Sequence, residues 1–183
     1  MNILFLDFDG VLVSSQSRLQ ASKDIASKDN PTESERKFLL ELASTCYKGY
    51  PLSVLTHDLL GLDRGCIKHL NTILDASKAS VVVSSSWRFS HNLTGLQKLL
   101  EFRGFTGRLV DITPTNLMDV SRGTEIQAWI DLNPEVERIV ILDDNTDMDH
   151  LSRFLVKVNS KTGLTAKDAR RAISIIITDL VRI

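Results

Sequence analysis

The chain has 183 residues, of which 43% are hydrophobic and 25% are charged, and this is typical of one globular domain rather than a disordered or fibrous protein. Its 22 Lys and Arg nearly balance its 23 Asp and Glu, and the resulting net charge of −1 argues against a dedicated nucleic-acid or membrane-surface binder. Two cysteines are too few for a disulfide framework or a zinc site.

Short apolar runs in three places end abruptly in a polar residue. These runs, each with the residue that follows it, are 3–6 with Asp7, 81–83 with Ser84, and 139–142 with Asp143. Continuous runs of this kind are typical of strands buried on both faces, as in a parallel sheet. Two weaker strand candidates are residues 108–112 and 154–158.

Apolar residues at helical spacing fill the gaps between these runs. They predict helices around residues 67–74, 93–100 and 126–130, and an amphipathic helix over residues 35–47. A last helix is predicted to begin near Thr165, which can form a capping box with Asp168, and its buried face would contain Ala169, Ala172, Ile173, Ile176 and Leu180. Alternating strands and helices predict an α/β fold in three layers, with a doubly wound, mainly parallel sheet.

One region departs from this alternation. Residues 14–34 are rich in Ser, Lys, Asp and Gln, with Asn30-Pro31 near the end, so we expect an exposed loop or mobile segment there. We interpret residues 14–60 as a small insertion after the first strand, inside a single domain that spans residues 1–183.

The segment Asp7-Phe8-Asp9-Gly10-Val11 follows the first apolar run. Residues two apart in extended backbone leave on the same side, so Asp7 and Asp9 can act as a nucleophile and a general acid/base. Gly10 allows a sharp turn and close approach of a ligand. The alternative is a strand that ends in an acidic turn. A calcium loop is disfavoured, because it needs a further acidic residue at the position of Phe5.

The second run leads into Ser84-Ser85-Ser86-Trp87-Arg88. A hydroxyl at the end of a buried strand, such as that of Ser84, can donate to a phosphoryl oxygen. The backbone amides that follow, beginning with that of Ser85, can do the same. A plain serine-rich loop is the alternative interpretation of this segment alone.

The apolar run over residues 139–142 is followed by Asp143-Asp144-Asn145. Adjacent carboxylates at the end of a buried strand repel each other unless a cation balances them, and Mg²⁺ is the natural candidate because it prefers oxygen ligands. An acidic turn is the alternative. Ligand sites in open parallel sheets gather at the carboxyl ends of the strands, and all three polar clusters are expected at that edge.

These segments resemble the motifs of the haloacid dehalogenase (HAD) superfamily of phosphohydrolases, in the same order and at similar spacing over nearly the whole chain. Asp7-Phe8-Asp9-Gly10-Val11 resembles the first motif and Ser84 the second. Arg122, within Ser121-Arg122-Gly123-Thr124-Glu125-Ile126, resembles the third, where Lys is commoner, and Asp143-Asp144 resembles the fourth. Four segments resemble more narrowly the small HAD domain of Swiss-army-knife RNA repair proteins, namely 84–88, 122–129, 142–148 and 162–165.

The resemblance implies a role for each matched residue. Asp7 would be the nucleophile that forms an aspartyl-phosphate, and Asp9 would protonate the leaving oxygen and then activate water. The Asp7 carboxylate, the Asp9 main-chain carbonyl and Asp144 would hold Mg²⁺, with Asp143 beside them, although which of the two adjacent aspartates touches the metal stays open. Ser84 and Arg122 would bind the phosphoryl group. The presence of Asp9 favours phosphate chemistry over dehalogenation, because a halide leaves without a proton and needs no acid at this position.

The sequence thus predicts a Mg²⁺-dependent phosphatase on a HAD-like Rossmannoid fold, with residues 14–60 as a small cap. Candidate substrates are nucleotides, sugar phosphates and nucleic-acid ends. Two alternatives remain, a non-catalytic phosphate-binding or interaction module and a phosphotransferase or mutase. The apolar start of the chain lacks basic residues and is interrupted by Asp7, and no apolar run approaches the length of a membrane span, so we expect a cytoplasmic location and no membrane contact. The expected partner is a phosphorylated small molecule or nucleic-acid end, and no protein partner is evident.

Overall fold

A five-stranded parallel sheet forms the centre of the computed structural model, which describes residues 1–27, 31–115 and 120–178. The strand order is β3-β2-β1-β4-β5, and every neighbouring pair is parallel. The strands are β1 Asn2–Leu6, β2 Ser80–Val83, β3 Leu109–Ile112, β4 Arg138–Asp143 and β5 Leu155–Lys157. All five predicted strands are therefore present, and the predicted α/β class is confirmed.

Both faces of the sheet are covered, which explains why its strands are apolar without alternation. On β1, Leu4 and Leu6 contribute to one hydrophobic core, whereas Ile3 and Phe5 contribute to the other. The same division continues on β4, and all four of these β1 side chains are fully buried. Two cores on opposite faces give the predicted three layers.

The helices that follow the strands divide between these two cores. The first core is covered by α4 (Arg64–Ser77), α5 (Leu93–Phe102) and α7 (Ala166–Thr178), and the second by α6 (Arg122–Asp131) together with a 3₁₀ segment, Asp149–Phe154. Thr165 and Asp168 form the predicted capping box at the start of α7, with Asp168 N–H donating to Thr165 Oγ1 at 3.3 Å. Leu180 and Asn30 lie outside the described residues.

The expectation of a loop or mobile segment over residues 14–34 is wrong for most of its length. Three helices separate the loop after β1 from α4, namely α1 (Ser15–Ala26), α2 (Glu33–Thr45) and α3 (Leu52–Gly61). Ser14 caps α1 by accepting from Ser17 N–H at 3.0 Å, and α1 packs along α3. The polar composition reflects the exposure of α1, whose buried residue is Ala21, rather than an absence of structure. The amphipathic helix predicted over residues 35–47 is α2.

The carboxyl ends of the central strands lie side by side. The main-chain ladder continues past β1, since Asp7 N–H donates to the Leu142 carbonyl at 3.0 Å and Ser84 N–H to the Leu6 carbonyl at 3.0 Å. The chain winds from β1 toward β2 on one side and places β4 on the other, which makes the crevice between β1 and β4 the switch point where such sheets bind ligands. Within the described ranges, no helix combines the length and apolar character needed to cross a membrane.

Candidate active site

Three carboxylates meet at the carboxyl ends of β1 and β4. Asp7, Asp143 and Asp144 each present an oxygen, and these oxygens all lie within 4.8 Å of one another. Asp7 is 7% exposed and Asp143 is 2% exposed, so two of the three are withdrawn from water. The structure therefore brings together acids from positions 7 and 143–144, as the sequence analysis expected.

Burial and mutual repulsion change how these acids ionise. Burial, followed by the nearby Asp143 carboxylate, raises the pKa of Asp7 from 3.8 to about 7, while a hydrogen bond from Ser85 and the charge of Arg122 oppose the rise. Burial also raises the pKa of Asp143. Without a cation, the cluster therefore favours holding at least one proton, whereas a divalent ion would favour the ionised acids.

The residues of the cluster fit a Mg²⁺ ion. Asp143 Oδ1 accepts from Asn145 N–H at 2.8 Å, but the buried Oδ2 has no hydrogen-bond partner in the described part of the chain. Arg122 Nε lies 3.7 Å from that oxygen, too far for a hydrogen bond. Buried polar atoms are rarely left unpaired, so this oxygen is suited to bind a cation. A set of carboxylate oxygens is what Mg²⁺ prefers.

The Asp9 side chain lies apart from this cluster. Asp9 is partly exposed, and its carboxylate forms an ion pair with Arg18 of α1. The sequence analysis expected the main-chain carbonyl of Asp9, and not its side chain, to bind the metal, and this stays a prediction. Arg18 was not identified from the sequence, because it lies in the polar segment that we expected to be a loop.

The loop after β2 places two serines against Asp7. Ser84 and Ser85 are fully buried, and Ser85 forms the hydrogen bond to the Asp7 carboxylate. The Ser84 hydroxyl has no partner among the described residues, which leaves it available to a phosphoryl oxygen. Thr113, at the end of β3, also has a fully buried hydroxyl without a described partner, and its N–H donates to the Val83 carbonyl at 2.9 Å. A single threonine after a strand gave no sequence signal.

Arg122 enters the site as the first residue of α6. Ser121 caps this helix by accepting from Thr124 N–H at 3.0 Å. The guanidinium of Arg122 donates to Glu125 at 3.1 Å, and its charge opposes the rise in the pKa of Asp7 and of Asp143 that burial causes. Of the residues predicted to bind phosphate, Ser84, Ser85 and Arg122 thus all lie at the carboxyl edge of the sheet, around Asp7.

An aromatic wall continues from the loop after β1. The Trp87 ring stacks on Phe8, with a centroid distance of 5.0 Å, and on His91 at the same distance. Trp87 also lines a cleft of about 240 Å³ together with Arg18 of α1 and His57 and Asp58 of α3. Because Arg18 also contacts Asp9, this cleft opens beside Asp9.

The arrangement has the parts that phosphoryl transfer requires. Asp7 offers a carboxylate oxygen, Ser84 offers an unpaired hydroxyl and Arg122 offers a positive charge, all at the carboxyl edge of the sheet. Phosphoryl transfer depends mainly on alignment and on positive charge around the oxygens of the phosphoryl group.

Comparison with known proteins gives one family match. Residues 3–169 match the sequence model of a family described as the HAD domain in Swiss Army Knife RNA repair proteins. Among solved structures, the chain is similar to a HAD-superfamily hydrolase from Ehrlichia chaffeensis, with 14% identity, a TM-score of 0.42 and coverage of 97% of each chain. No curated protein matches the chain.

Proposed function

The chain belongs to the family of HAD domains in Swiss Army Knife RNA repair proteins, and from this premise we propose that it is a Mg²⁺-dependent phosphomonoester hydrolase. One observation carries the proposal. At the carboxyl edge of the sheet, Asp7 lies between two acids after β4 that can hold a cation and Ser84 after β2, whose buried hydroxyl has no partner in the described structure. A carboxylate nucleophile needs a bound cation and a hydrogen-bond donor such as Ser84 nearby, because a phosphomonoester is itself an anion and would otherwise be repelled.

The proposed metal ligands are Asp7, Asp144 and the main-chain carbonyl of Asp9, with Asp143 beside them. When bound, Mg²⁺ would neutralise the clustered carboxylates and the charge that develops on the phosphoryl oxygens. Arg122 and the donors of the loop after β2, Ser84 and Ser85, would hold the phosphoryl group. A cation at this cluster is supported by the exclusively oxygen-bearing donor set and by the unpaired oxygen of Asp143, which makes Asp143 the alternative to Asp144 as a direct ligand.

The proposed reaction has two steps. In the first, an Asp7 oxygen attacks phosphorus, the bond to the ester oxygen breaks, and Asp9 gives its proton to that oxygen. In the second, Asp9 takes a proton from water, the resulting hydroxide attacks phosphorus, and inorganic phosphate leaves with Asp7 restored. Asp7 would be ionised, and so able to attack, when a cation offsets the burial that raises its pKa, whereas the partly exposed Asp9 is open to water and can exchange protons with it.

We extend the proposal to the insertion over residues 14–60, as a cap on the leaving-group side of the site. Asp9 is the proposed proton donor, and Arg18 of α1 contacts it directly. The cleft between α1, α3 and Trp87 therefore lies where the rest of the leaving group would extend. Among substrates we favour nucleotides or nucleic-acid ends, in keeping with the description of the family.

Replacement of the nucleophile tests the proposal. The wild-type protein is expected to release inorganic phosphate from phenyl phosphate in the presence of Mg²⁺, and Asp7→Asn is expected to lower kcat by about 10³-fold or more. Asp131→Asn, which changes an exposed acid at the end of α6, is the matched control and should retain activity. Wild-type turnover in Asp7→Asn would contradict the proposed mechanism, and no turnover by the wild type with any phosphomonoester would leave the non-catalytic alternative.

A further inference from the structure

A row of buried charges lies behind the proposed phosphate site. Arg88, in the loop after β2, forms an ion pair with one carboxylate oxygen of Glu125, and Arg122 Nη1 donates to the other at 3.1 Å. The side chains of Arg88, Glu125 and Arg122 are 1%, 11% and 21% exposed. The Glu125 carboxylate thus joins the fully buried Arg88 to Arg122, which faces the proposed phosphate site.

Arg88 is anchored at its other end by the loop that carries the serines. Its Nη1 donates to the carbonyls of Ser84 at 3.1 Å and Ser85 at 2.9 Å. Burial lowers the pKa of Arg88, and the Glu125 carboxylate opposes that shift. The chain of contacts therefore runs from the main chain of the serine loop, through Arg88 and Glu125, to the guanidinium at the start of α6.

Arg122 also has a competing partner in the site. Its Nε lies 3.7 Å from Asp143 Oδ2, the unpaired oxygen of the acidic cluster. Glu125 is three residues after Arg122, which places both on one face of α6, and its hydrogen bond holds the guanidinium short of full contact with Asp143. Without Glu125, Arg122 would be free to pair with Asp143, which would place its guanidinium in the acidic cluster and withdraw it from the phosphate site.

We propose that Glu125 is a positioning residue which, with Arg88, fixes the distance between the Arg122 guanidinium and the Ser84–Ser85 loop so that both meet one phosphoryl group. The proposal rests on the proposed phosphatase function. It also explains why a charged residue is buried at position 88, since an apolar side chain could fill that space without the cost of burying an ion.

The experiment separates positioning from stability. Glu125→Gln keeps the shape of the side chain but loses its charge, Arg88→Met removes the anchor, and the double variant Arg88→Met/Glu125→Met removes the pair without leaving one buried charge unpaired. Arg103→Met is the matched control, because Arg103 is a partly buried arginine, with 12% of its side chain exposed, that donates to the Leu62 carbonyl and pairs with Glu35, and neither partner belongs to the candidate site. For each protein we would measure the thermal midpoint, kcat and KM for phenyl phosphate, and the Kd of inorganic phosphate in saturating Mg²⁺.

We expect the two single variants and the double variant to lose about 10²-fold in kcat/KM and to bind inorganic phosphate more weakly. The reason is that moving a group that positions the substrate by about 1 Å can lower the rate by about that factor. The double variant should nevertheless unfold near the wild-type midpoint. Arg103→Met should lower the midpoint while kcat/KM stays within about twofold of wild type, as expected for a distant site.

Two results with the variants would overturn the inference. One is a double variant that recovers wild-type stability and wild-type kcat/KM together, since the pair would then be structural only. The other is wild-type phosphate affinity in Glu125→Gln, which decides the matter even if the wild-type protein has no phosphatase activity. A wild-type protein that neither hydrolyses phosphomonoesters nor binds inorganic phosphate would overturn both the function and the inference.

Discussion

The main chain of Gly10 lies directly against the side chain of Asp144, so closely that a Cβ on Gly10 would be 2.4 Å from Asp144 Cγ. Gly10 has φ of +75°, which disfavours other residues independently of space. The turn after β1 and the acidic pair after β4 are therefore built to fit each other, and a side chain at position 10 would move a proposed metal ligand.

Gly10→Ala should therefore weaken Mg²⁺ binding more than its backbone strain alone can explain. Gly49→Ala is the matched control, because Gly49 has φ of +80° and no atom within 4 Å of the added Cβ. Each variant should lose about 1–2 kcal/mol of unfolding free energy from the positive φ. Only Gly10→Ala should also lose Mg²⁺ affinity, by about tenfold or more, in calorimetric titration. Equal Mg²⁺ affinity in the two variants would show that Asp144 does not need this contact.

The pKa of Asp7 predicts how the stability of the metal-free protein depends on pH. The unfolded carboxyl releases its proton near 3.8 and the folded one near 7, so between these values the folded state binds more protons. The stabilisation present at low pH is therefore lost as the pH rises to about 7, by up to about 4 kcal/mol. Urea unfolding of wild type and Asp7→Asn in EDTA, from pH 4 to 8, isolates this contribution as their difference.

Added Mg²⁺ should reverse this trend, since it binds the ionised acids. Its stabilising effect on wild type should grow from pH 5.5 to pH 8, because the metal must displace the proton from Asp7 below about pH 7. A stability difference between wild type and Asp7→Asn that does not change with pH would mean that Asp7 ionises normally in the folded protein.

The hydroxyl of Ser84 should matter for activity and not for stability. Ser84→Ala removes a buried hydroxyl without a described partner, so its unfolding free energy should stay unchanged or rise, while kcat/KM falls by about 10–10²-fold. Ser77→Ala is the control, because the Ser77 hydroxyl donates to the Ile73 carbonyl at 2.7 Å and accepts from Ala79 N–H. That variant should lose about 1 kcal/mol and keep its activity. The opposite pattern in the two variants would assign Ser84 a structural role.

Local sequence patterns predicted the parts of the molecule that depend on local physics. The strands were readable because burial on both faces demands continuous apolar runs such as residues 139–142, and the carboxyl edge of a parallel sheet then brings Asp7 and Asp143 together whatever their separation along the chain. The helix α1 was not readable, because its exposed face carries the polar residues of a loop and its packing against α3 is a tertiary contact.

The supporting residues of the site were missed for a related reason. Glu125 three residues after Arg122 looks like an ordinary pair on the surface of a helix, and its significance comes from Arg88, which lies 37 positions away in sequence. Arg18 gave no signal, because its contact with Asp9 requires α1 to fold back over the loop after β1. Contacts that depend on how elements pack cannot be read from spacing along one element.

Arg18 provides the test of whether the insertion over residues 14–60 takes part in the reaction. If Arg18 orients Asp9 as the proton donor, Arg18→Ala should slow the hydrolysis of substrates whose leaving group needs a proton more than of those whose leaving group does not. The ratio of kcat/KM for a nucleoside 3′-phosphate to that for p-nitrophenyl phosphate should fall by about tenfold. Lys23→Ala, which changes another cation of α1, is the control and should leave the ratio at the wild-type value. An equal loss on both substrates in Arg18→Ala would mean that Arg18 supports the fold of the insertion and not the position of Asp9.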